Sequence, residues 1–145
     1  MKKFKMFVYG TLMEGYRNYH KYLDGKVLSA KRAYTLGRLY HLDKEDCPAI
    51  VKGDQKVFGQ ILECVDDENY TVLKAVDSME KHFQGNEKIM YERVTQEVFY
   101  EDGTKESLGI YFFVNQDYFN ENHTIFIEHG DWDKFKKDRS ISREN

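Results

Sequence analysis

Residues 91–114 read YERVTQEVFYEDGTKESLGIYFFV. Two runs rich in aromatic and β-branched residues flank Glu101-Asp102-Gly103-Thr104, and Asp-Gly between such runs is the strongest short-range signal for a β-hairpin. Two neighbouring antiparallel strands are predicted here. Moving toward the N-terminus, Val57 to Val65 is also strand-like, with Gly59 marking a close backbone approach. Ala30 to Leu42 reads as extended around Gly37, a position for a bend or bulge, and Pro48-Ala49-Ile50-Val51 as a short, edge-like strand. Phe4 to Tyr9 reads as a first strand stopped by Gly10.

Two segments carry helical periodicity instead. Between Tyr16 and Leu23, Tyr19, Tyr22 and Leu23 recur at helical spacing, and Gly25 is placed to close the turn. Asp66 or Asp67 can cap a second helix, with Glu68 in its first turn. Tyr70, Leu73 and Val76 would share one face as far as about Met79. Six or so strands with two helices and no regular βαβ alternation predict an α+β fold, a largely antiparallel sheet curled toward a barrel. One domain is expected over residues 1–135. From Lys134 onward the chain is polar, so a poorly ordered C-terminal tail is expected at 136–145.

Composition narrows the function. In 145 residues the chain is 41% hydrophobic and 15% aromatic, enough for a core without disulfide or metal staples. A net charge of −3 with no block of Lys or Arg argues against tracking a nucleic-acid backbone. Lys2, Lys3 and Lys5 precede an apolar run too short for a signal core or a membrane span. Cys47 and Cys64 lack metal-ligand spacing and read as reduced thiols, which favours a cytoplasmic location. The sequence is silent on oligomeric state.

Three places could carry chemistry. Gly10-Thr11-Leu12-Met13-Glu14-Gly15 follows a strand as a phosphate-binding loop does, but Tyr16 and Arg17 stand where such a loop needs Lys and Ser or Thr. What is left is a turn whose successive backbone N–H groups could receive a carboxylate or an oxyanion, or simply a tight turn. Glu80 lies about one helical turn beyond Val76. It is either a carboxyl aimed at the core, able to act as a general acid and base, or a solvated partner of Lys81 or Lys74. Tyr91 and Arg93 share a strand face, and Arg93 could balance a buried carboxylate. No nucleophile stands out, and His20, His41, His82, His123 and His129 are scattered singly.

In order along the chain, these pieces resemble the γ-glutamylcyclotransferase-like family, which includes γ-glutamyl-amine cyclotransferases and avirulence-induced proteins. Phe7-Val8-Tyr9-Gly10-Thr11-Leu12, then Gly15 and Asn18, look like its opening signature. Gly37-Arg38-Leu39-Tyr40 with Pro48-Ala49-Ile50-Val51, and Val57-Phe58-Gly59-Gln60-Ile61-Leu62, are similar to the next blocks. Leu73, Asp77 and Glu80 followed by Tyr91 and Arg93 resemble the fourth, and Gly130-Asp131-Trp132 a closing element.

The resemblance implies a small, mostly antiparallel β-barrel with flanking helices. It implies an enzyme that cyclises the γ-glutamyl group of an amine or peptide to 5-oxoproline, releasing the amine without metal or cofactor. Glu80 would be the catalytic residue, and Tyr9, Gly10, Thr11, Leu12, Tyr91 and Arg93 would bind a small γ-glutamyl substrate. Two alternatives stand beside this: a non-catalytic binding module on the same fold, and an enzyme removing a γ-glutamyl cap from a biosynthetic intermediate. The chain departs from the family at Asp43-Lys44-Glu45-Asp46-Cys47 and at Lys81, in segments that would frame the leaving group.

Overall fold

The computed structural model of the protein describes the backbone of residues 1–144 and the side chains of residues 1–140. Its six strands are β1 (Lys2–Val8), β2 (Val27–Leu42), β3 (Cys47–Asp66), β4 (Tyr91–Tyr100), β5 (Lys105–Phe113) and β6 (Thr124–Phe126). The order β3-β1-β5-β4-β2 closes on itself through a β2–β3 pairing, giving a five-stranded barrel, with β6 added at the end of β2. All pairings are antiparallel except β1 with β5, which meet in parallel at Met6 and Gly109. Closure removes the unpaired edges that an open sheet of this size would expose.

The predicted hairpin forms β4 and β5, which pair from Tyr91 with Phe113 to Phe99 with Lys105. Gly103 turns it at φ 88°, a left-handed conformation that a β-carbon would strain. β3 is long because the expected strands at Pro48 to Val51 and Val57 to Val65 fuse into one, which pairs with β2. Their register slips between Gly37 and Arg38, where the sequence places a bulge. At Gly59 a β-carbon would lie 2.1 Å from the Val8 carbonyl oxygen, so β1 can cross β3 only over a glycine.

The barrel is filled by the inward-facing half of each strand. Phe7, Leu39, Ile50, Leu62, Val98 and Ile110 are fully buried. Helix α1 (Thr71–Lys81) closes over it and buries Val76 and Glu80. Its cap is more elaborate than expected. Tyr70 sits at φ 54° just before the helix, while both predicted aspartates receive its free amides. Asp66 accepts from Val72 and Leu73, and Asp67 from Thr71, each at 3.0 Å. The helix expected over Tyr16 to Leu23 shortens to one π-type turn, Tyr19–Leu23, because the Thr11 carbonyl takes the amides of both Asn18 and Tyr19.

A short helix α2 (Gln116–Glu121) precedes β6, and α3 (Trp132–Glu144) ends the described chain. This corrects the expected tail, since residues 136–144 continue a helix and the boundary at residue 135 falls inside it. Polar composition alone predicts fraying, but these polar groups are paired. Lys134 with Asp138 and Lys137 with Asp133 bridge successive turns, while Lys136 and Arg139 reach Asp46 and Asp43 of the barrel. Trp132 anchors the helix with no exposed surface. No helix among the described residues is long and apolar enough to cross a membrane.

Candidate active site

Where β1 runs out, Tyr9 to Leu12 form one wall of a cavity whose other walls include Pro48, Glu80, Phe83, Tyr91 and Tyr111. Gly10 owes its identity to a neighbour: a β-carbon there would lie 2.4 Å from Cγ and 2.5 Å from Cδ of Pro48. The loop is held by its carbonyls and side chains. Gly10 O accepts from the Met13 amide at 2.9 Å, Thr11 O from Asn18 and Tyr19, and Thr11 Oγ1 from Asn18 Nδ2 at 2.8 Å. The amide N–H groups of Gly10, Thr11 and Leu12 donate to no group among the described residues. Three successive free donors beside a cavity make an anion-receptive wall.

Glu80 occupies the last turn of α1, one turn beyond buried Val76, and the barrel end covers it until only 7% of its surface is exposed. No hydrogen bond from its carboxyl to a described residue is present. Burial is the main force on its titration, with the Asp77 charge adding to it and the Arg17 charge opposing it. Together they push the carboxyl up to about 8. At neutral pH the free protein therefore holds Glu80 largely as the acid.

The tyrosines around it are struts. Tyr9 donates its hydroxyl to the Tyr111 carbonyl at 2.5 Å and accepts the Ile50 amide at 3.2 Å. Tyr91 donates to the Pro48 carbonyl at 2.7 Å, with Cys47 Sγ 3.4 Å away. Tyr111 donates to Asp77 Oδ1 at 2.5 Å. Burial raises all three phenols well above their ordinary range, so they remain protonated donors.

Of the residues singled out in the sequence, Tyr9, Gly10, Thr11, Leu12, Glu80 and Tyr91 meet at the cavity, and Arg93 does not line it. Arg93 crosses the bare face of Gly109, where a β-carbon would be 2.9 Å from its Cδ, and ion-pairs with Asp77. The carboxylate it balances is Asp77, one turn before Glu80. Tyr111 and Arg17 were missed as site residues. Tyr111 was within reach, because a hairpin folded about Asp102 sets it directly opposite Arg93. Arg17 carried no local signal. Among the described residues, no three His, Cys, Asp or Glu side chains gather as metal ligands.

The closed five-stranded barrel thus carries a buried, unpartnered carboxyl and a turn of free amides on the walls of one cavity. The chain belongs to the family described as gamma-glutamyl cyclotransferase, AIG2-like, whose model matches residues 6–134. It is similar to gamma-L-glutamyl-butirosin B gamma-glutamyl cyclotransferase of Niallia circulans, at 30% identity over 132 residues, covering 90% of this chain and 76% of that protein. Among solved structures, an Arabidopsis thaliana protein superposes with a TM-score of 0.64 at 25% identity, covering 99% of this chain and 89% of its own. An AIG2-like protein of Mus musculus gives 0.56 at 25% identity, over 85% and 87%. YkqA of Bacillus subtilis gives 0.63 at 25% identity over 99% of this chain, which spans only 44% of that longer protein.

Proposed function

We propose that the protein cyclises a γ-glutamyl group to 5-oxoproline and releases the attached amine, with Glu80 moving both protons. The observation that carries this reading is Glu80 itself: a buried carboxyl without an internal partner, in a cavity walled by free amides. The substrate's α-nitrogen attacks its own γ-carbonyl carbon, forming the ring C–N bond, and the C–N bond to the leaving amine then breaks. No protein nucleophile is needed, because the attacking atom is tethered. Holding it in a ring-forming conformation can contribute on the order of 7–11 kcal/mol.

In its ionised fraction Glu80 takes a proton from the substrate's α-ammonium, which frees the nitrogen's lone pair to attack, and as the acid it then protonates the departing nitrogen; the second proton of the attacking nitrogen leaves by the same carboxylate as the ring amide forms. An α-amino group ordinarily titrates near ~8, close to the value of about 8 at which Glu80 is held. Proton exchange between groups so matched is nearly thermoneutral, which suits a residue that must act as base and then as acid. The amides of Gly10, Thr11 and Leu12 receive the substrate carboxylate or the oxyanion of the tetrahedral intermediate.

The direct test is 5-oxoproline release from γ-glutamyl-amines and γ-glutamyl peptides by wild type and Glu80→Gln. Loss of turnover by at least ~100-fold in the variant is expected for an acid/base residue; unchanged turnover would remove Glu80 from the mechanism. Binding of γ-glutamyl compounds without product from any of them would favour a non-catalytic module. The similarity to the Niallia circulans protein supports a second reading, removal of a γ-glutamyl cap from a larger amine. That reaction uses the same steps with a different leaving group.

A further inference from the structure

Beside the cavity a second cleft of about 380 Å³ opens, bounded by Arg17, Asn18, Lys21, Tyr22, Met79 and His82. Its volume falls in the range of small-molecule sites. The two spaces share parts of their walls. Phe83 lines both, Asn18 in the cleft wall holds Thr11 in the cavity wall, and the Arg17 charge is felt at Glu80. A leaving nitrogen protonated by Glu80 would lie in the cavity, and the cleft beyond Phe83 is the neighbouring space open to the rest of the leaving group.

The charged side chains in the cleft are all basic, and no carboxylate lines it. Arg17 is fixed there by the carbonyls of Glu45 and Asp46, each at 3.2 Å. The Asp46 carboxylate lies 4.0 Å from Arg17 and is engaged more closely, at 2.5 Å, by Lys136, so it is shared between two cations and only partly offsets the guanidinium. Lys21 has no carboxylate partner among the described residues, its ammonium lying 5.4 Å from the centre of the Tyr22 ring.

We propose that this cleft is the leaving-group subsite and that Arg17 and Lys21 select an amine bearing a carboxylate over a neutral or cationic one. The inference rests on the cyclotransferase reading and narrows its substrate class. A guanidinium held by backbone carbonyls keeps donors free for a second acceptor, and a cationic leaving group would meet like charge.

The test uses three ligands that differ only at the far end: γ-glutamyl-glycine, γ-glutamyl-glycinamide and γ-glutamyl-ethylenediamine. Their binding to Glu80→Gln is measured by calorimetry, and kcat/KM with wild type supplies the same ranking independently of how that variant folds. The glycine compound should bind best and the ethylenediamine compound worst, with a spread of roughly ten-fold that shrinks in high salt. Lys21→Gln and Arg17→Gln should each compress the spread. Equal affinities or the reverse order, with 5-oxoproline still released, would overturn the subsite and leave the reaction standing. Failure of all three to bind or react would overturn both.

Discussion

Arg93 and Asp77 are joined at two points, Nε to Oδ1 at 2.9 Å and Nη2 to Oδ2 at 3.1 Å, and the same carboxylate accepts the Tyr111 hydroxyl at 2.5 Å. Since Tyr111 in turn accepts Tyr9 through its carbonyl, the pair anchors a line of bonds from the barrel surface to the start of the amide-rich loop. Asp77 is also one of the charges that hold Glu80 high.

Asp77→Asn removes that charge while keeping an acceptor for Tyr111. Glu80 should then ionise at lower pH, moving the rising limb of the kcat/KM profile toward acid by about half to one unit. A limb that stays in place would separate Asp77 from the titration. Arg93→Ala should lower stability by roughly 1 kcal/mol, because the pair is half exposed and partly screened; thermal unfolding measures it.

Glu80 also leaves a signature in stability. Its folded value of about 8 lies above the ordinary 4.5, so between those values the folded protein keeps a proton the unfolded chain has released. Stability from this group is therefore complete below the ordinary value and falls as pH rises through the window. Glu80→Gln should gain on wild type by roughly 3–4 kcal/mol between about pH 5 and about pH 8, read from denaturant unfolding.

Gly10→Ala forces a β-carbon into the Pro48 ring. A cost of about 1–3 kcal/mol is expected, together with loss of substrate affinity as the loop shifts. Pro48→Ala in the same chain should restore much of both, and no recovery would show that something other than this contact demands the glycine.

His41 and Trp132 make a comparable buried pair, the indole Nε1 donating to His41 Nδ1 at 3.0 Å. Accepting at Nδ1 puts the imidazole proton on Nε2, toward Asp43 and Asp46. Burial holds His41 down at about 4 against the ordinary 6.5. Here the unfolded chain binds the extra proton, so stability falls as pH drops from 6.5 toward 4. Trp132→Phe should cost about 1–3 kcal/mol. His41→Gln should flatten the acid limb of the unfolding profile relative to wild type.

Both thiols should be inert in the native protein. Cys47 and Cys64 are buried and pushed up to about 12, mainly by that burial. Ellman's reagent should label neither until denaturant is added, and then both; fast labelling of the native protein would contradict their placement.

The local devices were legible in the sequence because they depend on neighbours within a few residues. Asp102-Gly103 specifies a turn by its backbone preferences, the spacing of Val76 and Glu80 specifies a common helix face, and Asp66 and Asp67 specify a capped start. Alternation along each strand specifies an inner side, and from these follow the α+β fold and the segments that become β1 to β5, but not β6. The loop after β1 and the carboxyl on α1 are local features too, but locally each reads equally as a tight turn or a solvated glutamate, and the resemblance to the family is what singles them out.

What only the tertiary structure decided depends on pairings between distant residues. Tyr9 and Tyr111 are 102 positions apart and meet because β1 joins β5 in parallel, a pairing no periodicity encodes. Other long-range contacts turn Tyr9 and Tyr91 into struts, pair Arg93 with Asp77, bring Arg17 to the cleft beside the cavity, and hold α3 against the barrel through charges that read as solvated. Glu80 shows the division most directly. Spacing set the side of the helix on which it lies, but only a barrel closing over that side removes the water that would keep it an ordinary glutamate.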